Sequence, residues 1–515
     1  MRSYFRFAVT LTLLISLATT AWADIRLPAL LADNLVLQQK TNVALWGWAD
    51  PGEAVSITVS WAKAPVKVVA SADGKWLVRV PTTKAGGPYT LTFEGKNKLT
   101  VSNVLLGEVW LCSGQSNMVF PITKRPNSGS YTGILNAAEV IPKANYPAIR
   151  MFTVATKVAD APLPDASGKW EVCSPATVGS FSAVAYFFGQ EVHEKTGYPI
   201  GLINASWGGT PAESWTRKDV LENDPDFRPI LERYEAGLAN YPTTLAAYKA
   251  ELAAYTAEKA ANPATSRAAP QEPVGATSNK SPYKLYNGMI NPLLPYTLRG
   301  IIWYQGENNS ERAYQYRRLF PALINSWRAA WQQPELPFYF VQLAPYRKMN
   351  PEIRESQLVT MQTVPHTGMA VITDAGDSLS IHPRNKQVVG HCLALWALAH
   401  EYGEKKLPFS GPIYQRMRIE KDKVHLYFDY LDGGLVAQGG PLKLFAIAGP
   451  DSVFVPAQAL IQGNEVVVWS SQVKQPVAVR FAWTNAPKPN FYNAAGLPAT
   501  PFRTDNWRLE TQGKN

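Results

Sequence analysis

Glu108-Val-Trp-Leu-Cys112 runs directly into Ser113-Gly-Gln-Ser-Asn-Met118. Three large apolar residues in five give the first segment strand character, and the small and amide residues that follow break the strand into a turn. The same junction recurs three times. Strand-like segments at 200–204, 300–304 and 369–373 end in Ala205-Ser-Trp-Gly-Gly-Thr210, Gln305-Gly-Glu-Asn-Asn309 and Asp374-Ala-Gly-Asp-Ser-Leu-Ser-Ile-His-Pro383. Further strands are expected at 149–152 and 338–342. Helical stretches lie between them, at 182–195, at about 311–331 and at 385–402. In the second, Tyr316, Phe320, Leu323, Ile324, Trp327 and Trp331 recur at helical spacing. Strands alternating with helices predict an α/β fold, a parallel sheet with helices on both faces.

Outward from this core the pattern changes. Residues 24–106 read as all-β. Runs such as Val43-Ala-Leu-Trp-Gly-Trp48 and Val55-Ser-Ile-Thr-Val59 are separated by turn signals such as Asp50-Pro-Gly and Ala85-Gly-Gly, which suggests a small sandwich. Residues 107–404 form the expected core, interrupted at 216–280 by a polar, Ala-rich insertion with a helix over 245–260 and an exposed loop over 262–280. Residues 405–515 return to β character, either as a separate domain or packed with 24–106. Residues 1–23 read as a secretory signal peptide. Arg2 and Arg6 precede an apolar run, and Ala21-Trp-Ala23 offers a small-x-small cleavage site. That run is shorter than the roughly 20 residues a membrane span needs. A secreted or periplasmic protein is expected, with no membrane association once the signal is removed.

With 515 residues, the chain exceeds the size at which a single core keeps growing, so one large domain with smaller ones is expected. Hydrophobic residues at 46% and charged residues at 17% give an ordinary globular composition and argue against disorder. The formal charge is +10, yet the basic residues are scattered and form no stripe for nucleic acid. Cys112, Cys173 and Cys392 are too few and too widely spaced for a disulfide framework or a zinc pattern.

In open α/β sheets ligands bind beyond the carboxyl ends of the strands. Four such ends here deliver serines, glycines, side-chain amides and an Asp–His pair to one edge, the set that acyl transfer requires. Among six histidines only His382 falls in a loop after a strand. His193, His391 and His400 lie in helices, His366 precedes its strand and His425 belongs to the terminal β region. A serine hydroxyl needs a base, and imidazole is suited to that task near neutral pH. Ser116 is therefore the expected nucleophile and His382 its base, with Ser113 and Ser206 as rivals. Backbone N–H groups of Ser116, Gly208 and Gly209, with the amide of Gln305 or Asn308, are candidates for an oxyanion hole.

Gly114-Gln-Ser-Asn-Met118, Trp303-Tyr-Gln-Gly-Glu-Asn308 and Ile381-His-Pro-Arg-Asn-Lys386 resemble the sialate O-acetylesterase family of SGNH-type hydrolases. Tyr286-Asn-Gly-Met-Ile290 and the tail from Gly496 to Asp505 extend the resemblance over nearly the whole mature chain. It implies a flavodoxin-like, three-layer core, no metal or other cofactor, and a Ser116–His382 mechanism releasing acetate from an acetylated carbohydrate. It also implies an oxyanion hole from the Ser116 backbone, the Gly208-Gly209 loop and Gln305. Relatives of this kind act on sialic acids or on plant polysaccharides such as xyloglucan. Many SGNH-type enzymes carry Asp three residues before the histidine, where this chain has Leu379. Asp377 is the expected third member, with Asp374 or a backbone carbonyl near Ser380 as alternatives. Glu307 is expected to brace its loop, and Glu213 either to contact substrate or to cap a helix. Trp207, Trp215 and Tyr346 would suit a neutral sugar; Arg217, Arg347 or Arg384 would suit a carboxylate. An esterase of longer acyl chains and a non-catalytic sugar-binding protein are the competing readings. No Gly-x-Ser-x-Gly elbow surrounds Ser116.

Overall fold

A computed structural model describes residues 24–126 and 128–514, so the signal-peptide reading of 1–23 lies outside the described residues. The organising element is β1 (Lys98–Gly114). Its first half alternates between exposed and covered residues, and from Val104 onwards every residue is buried. That change marks a strand with one wet face becoming the centre of a sheet covered on both faces. The exposed half pairs antiparallel with Gly86–Glu94, while the buried half pairs parallel with β4 (Ile200–Ser206) on one side and β5 (Gly300–Tyr304) on the other. The boundary expected at 106/107 therefore falls inside one continuous strand, and the N-terminal β region shares its hydrogen-bonded sheet with the core.

The remaining core strands are β2 (Tyr146–Thr153), β3 (Trp170–Cys173), β6 (Phe338–Val341) and β7 (Thr367–Ala370). Across the sheet the order is β7-β6-β5-β1-β4-β2-β3. All these neighbours are parallel except β3, which pairs antiparallel with β2. The expected all-parallel sheet is thus corrected to a mixed one. The short segment around Trp170 carries no helix before it, so it returns along the edge of β2 instead of crossing over. The last strand also ends earlier than expected, at Ala370, leaving 371–385 free to form a loop.

Helices α1 (Ser116–Val119), α2 (Ala183–Thr196), α3 (Ala313–Trp331), α4 (Glu352–Thr363) and α5 (Lys386–Glu401) belong to the core. Helix α2 packs on α5, and α3 on α4. Trp110 of β1 meets Phe188 of α2, whereas Trp303 of β5 meets Phe320 and Trp327 of α3. All three cysteines are buried free thiols. Within the insertion the helix is longer than expected, Tyr241–Ala261, and a second helix, Arg228–Ala239, precedes it.

The C-terminal region has its own apolar core, including Phe428, Ile447, Val468, Phe481 and Phe491. Among the described residues its polar anchors run to α3, α4 and the 343–347 loop rather than to 24–106. The fully buried Arg354 donates to Leu343 O, Thr484 O and Asn485 O at 2.9, 2.9 and 2.6 Å. Arg503 donates to Glu355 at 2.6 Å. A buried guanidinium without such acceptors would be strongly destabilising, so these bonds fix the seam.

Candidate active site

Shared register brings the carboxyl ends of three strands to one level: Gly114 of β1 lies opposite Ser206 of β4 and Tyr304 of β5. Gly114 adopts φ +138°, and a Cβ there would lie 2.2 Å from Tyr304 O. Only glycine permits that approach. It lets Gln115 N donate to Tyr304 O at 2.9 Å and Trp207 N donate to Gly114 O at 3.1 Å. The chain then turns at once into α1, whose first residue is Ser116.

Ser116 is 8% exposed and forms part of the lining of a cavity of about 1240 Å³. Its Oγ lies 2.8 Å from His382 Nε2. Segments 266 positions apart meet here, as anticipated. His382 is half-buried, with the rings of Tyr131 and Phe120 centred 6.0 and 6.3 Å from its own. Burial, reinforced by the Lys386 charge, pushes its pKa down to about 4. The imidazole is therefore neutral at ordinary pH and able to accept a proton. Ser113 is engaged elsewhere, its Oγ donating to Ala205 O at 2.6 Å, and Ser206 donates to Asn204 Oδ1 at 2.7 Å.

Beneath this pair lies a polar network that the sequence reading missed. Asn117 donates through Nδ2 to Glu307 Oε1 at 2.5 Å and to Ile381 O at 3.0 Å. Lys386 Nζ donates to Asn117 Oδ1 and stands 4.9 and 5.2 Å from the ring centres of Phe120 and Tyr304. Lys386 is 0% exposed. Its burial pushes the ammonium down to about 7, with Glu307 pulling the other way, while burial pushes the Glu307 carboxyl up. One asparagine thus ties together the serine turn, the loop after β5 and the histidine loop. Both Asn117 and Lys386 stand inside the quoted motifs. Nothing in their spacing showed that they would meet.

The Gly208-Gly209 loop faces the serine: a Cβ on Gly208 would lie 3.4 Å from Ser116 Cβ. Among the described residues no hydrogen bond engages the N–H of Gly208 or Gly209. Asn308 lines the cavity, its Nδ2 donating to Gly209 O and its backbone N to Gln115 Oε1 at 3.4 Å. Among the described residues the second Asn308 amide hydrogen has no acceptor. Gln305 departs from expectation. It is fully buried, and its Nε2 donates to Asn309 Oδ1 at 2.7 Å and to Thr210 O at 3.2 Å. Both amide hydrogens are used, so Gln305 braces the loop and has no donor left for a substrate oxygen.

Three further expectations are corrected. Asp377 Oδ1 accepts from Leu379 N at 2.9 Å, the self-capping turn that Asp commonly makes, and among the described residues no hydrogen bond joins it to His382. Nor does one join His382 to Asp374, or its ring to a carbonyl near Ser380, although Ser380 Oγ accepts from the His382 backbone N at 3.2 Å. Asp377→Asn keeps the turn acceptor, so kcat on an acetyl ester should change less than about tenfold. Loss of an orienting carboxylate in a triad costs about 10⁴, and a loss of that size would restore Asp377 to the histidine. Trp215 is fully buried, its Nε1 donating to Thr210 Oγ1 at 2.9 Å and its ring set edge-on to Trp303. Arg384 donates to Gly133 O and Ile134 O at 2.8 and 3.1 Å, which fastens the loop carrying Tyr131. Trp207 and Tyr346 do line the cavity. Glu213 is a buried brace, receiving Asn309 Nδ2 at 2.8 Å and Arg312 at 3.1 Å. Arg217 is paired with Asp219 at 2.7 Å.

A model of the family described as "Carbohydrate esterase, sialic acid-specific acetylesterase" matches residues 274–396. A carbohydrate acetylesterase from Xanthomonas citri superimposes with a TM-score of 0.78 at 36% identity, over 94% of this chain and 100% of that one. Fold, site and these likenesses together define a carboxylic ester hydrolase, a carbohydrate acetylesterase. The sialate O-acetylesterase of Rattus norvegicus is 32% identical over 91% of this chain and 92% of its own length. That of Homo sapiens is 30% identical over 93% and 94%. The chain belongs to the sialate O-acetylesterase family.

Proposed function

We propose that this enzyme removes O-acetyl groups from neutral polysaccharide or oligosaccharide of the xyloglucan or xylan type, with Ser116 as nucleophile and His382 as base. Ser116 Oγ attacks the acetyl carbonyl carbon, its proton passes to His382 Nε2, and the carbonyl π pair moves onto oxygen. The Ser116 backbone N–H, the Gly208-Gly209 loop and the free Asn308 amide hydrogen receive that oxyanion. Collapse expels the sugar hydroxyl, which takes the proton from His382. Water then repeats the sequence on the acyl-serine and releases acetate. In this reading catalysis needs no third carboxylate, because neighbouring rings and burial hold His382 neutral and in place. The core is read as the three-layer, flavodoxin-like form of SGNH-type hydrolases, and residues 1–23 as an export signal. Among the described residues no helix is long and apolar enough to cross a membrane.

One observation carries the choice of substrate. The cavity of about 1240 Å³ exceeds the roughly 300–1,000 Å³ of ordinary small-molecule pockets, so several sugar units fit where one monosaccharide would leave most of it empty. Arg217 and Arg384, offered by the sequence as carboxylate clamps, are bound elsewhere. Lys280, Lys348 and Arg125 line the cavity, with Glu272 and Glu311 among them, so no single cationic pocket stands out. Acetate release from acetylated xyloglucan oligosaccharide and from 9-O-acetylsialic acid, assayed side by side, tests this. Higher kcat/KM on the neutral oligosaccharide is expected, and the reverse order would overturn the assignment. An octanoyl ester should be hydrolysed more slowly than an acetyl ester, because the cavity lining mixes Val119, Trp207 and Ile381 with many glycine, hydroxyl and amide groups.

A further inference from the structure

The insertion does not stay at the periphery. Its last turn, from Glu272 to Lys280, returns to line the cavity that holds Ser116, and Tyr241 at the start of its long helix lines it too. Gly275 lies flat against the Tyr241 ring, where a Cβ would come within 2.5 Å of Cζ. Core residues pin the segment. Lys284 Nζ donates to Ala276 O at 2.7 Å, Ser281 Oγ to Gly275 O at 3.0 Å and Tyr283 N to Glu213 O at 2.8 Å. From this fastened segment Asn279 Nδ2 donates to Gly208 O at 3.2 Å.

Three successive carbonyls of the glycine loop are thereby held by side chains. Thr210 Oγ1 donates to Trp207 O at 2.8 Å, Asn279 to Gly208 O, and Asn308 to Gly209 O. In a planar trans peptide the C=O of one residue and the N–H of the next point in opposite directions. Holding Gly208 O on the insertion side therefore fixes the direction of the Gly209 N–H. Gly208 is closely packed, with Tyr131 Oη 2.5 Å from its Cβ position, but Gly209 has φ +74° and no neighbouring atom near its own, so on that side the hydrogen bonds to the carbonyls hold the peptide plane.

We infer that Asn279, supplied by the insertion, is a positioning residue for the hydrolysis: it locks the Gly208–Gly209 peptide so that the Gly209 N–H faces the oxyanion formed at Ser116. The inference rests on Ser116 being the nucleophile. It gives the insertion a catalytic purpose besides forming a wall.

The test uses the whole enzyme with 4-nitrophenyl acetate, too small to depend on the outer wall. In Asn279→Ala, and in the near-isosteric Asn279→Asp, which cannot donate, kcat should fall about 10–100-fold with KM changed less than about twofold. Inhibition by 1,1,1-trifluoroacetone, whose hemiketal with Ser116 places an oxyanion in the same position, should weaken by the same factor as kcat/KM. Unchanged kcat in both variants, or a loss confined to KM, would overturn the inference. Activity surviving in Ser116→Ala would instead overturn the nucleophile assignment, so the two failures are distinguishable.

Discussion

Ser116→Ala should lower kcat on an acetyl ester by about a millionfold while leaving the melting temperature nearly unchanged. In the proposed mechanism serine and base act as one unit, so removing either costs about as much as removing both. His382→Ala should therefore fall to the same floor, and the double variant should go no lower. Stability is little affected because Ser116 Oγ gives up a single bond, that to His382 Nε2, and a typical hydrogen bond contributes only about 1 kcal/mol net. Neither rival serine is hydrogen-bonded to His382 among the described residues. Ser113 is fully buried and bonded to Ala205 O, and Ser206 is bonded to Asn204. Steady-state kinetics on the three variants decides the matter. Activity in Ser116→Ala within tenfold of the parent, or a double variant far below both singles, would break the proposed unit.

The strand-end rule made the contact between Ser116 and His382 legible, because it depends only on which residues follow which strands. Ser116 and His382 were found that way, and the four loops do converge. Mere nearness to a motif was a poor guide to substrate contact. Trp215 follows the Gly-Gly loop by only a few residues, yet the 3-10 turn Ala212–Trp215 rotates its ring inward onto Trp303. Gln305 follows Tyr304 at the right level of the sheet, but its amide is committed to Asn309 and Thr210. Asp377 failed for a local reason: an aspartate two residues before an unpaired N–H satisfies that N–H first. Asn279 carried no signal at all. It sits in a polar loop without periodicity, and only the fold brings it to Gly208.

Lys386→Met should raise the pH at which activity is lost on acidification and should also alter how stability depends on pH. In the proposed mechanism the group titrating at the acid limb of kcat/KM is His382, held down to about 4 first by burial and then by the Lys386 charge. Lys386 itself titrates at about 7, so it is charged throughout that limb and its repulsion is fully active there. Methionine keeps the bulk between Phe120 and Tyr304 and removes the charge. The limb should then move up towards 6.5 without reaching it, since burial remains. The stability argument has its own sign. Between about 7 and the ordinary lysine value of 10.5 the unfolded chain holds a proton that the folded chain lacks, so the parent gains stability as pH rises through that window. The methionine variant should lose this rise. At pH 10, where the parent no longer carries the buried proton, the variant should be the less stable, because Asn117 Oδ1 is left without its donor and an unsatisfied buried acceptor costs about 1–3 kcal/mol; towards pH 7 that deficit should shrink, because the parent alone is penalised there for a buried charge. Denaturant melts at pH 7 and 10, with kcat/KM profiles from pH 3.5 to 8, measure both effects. An acid limb that stays where the parent has it would mean that the buried ammonium does not act on His382.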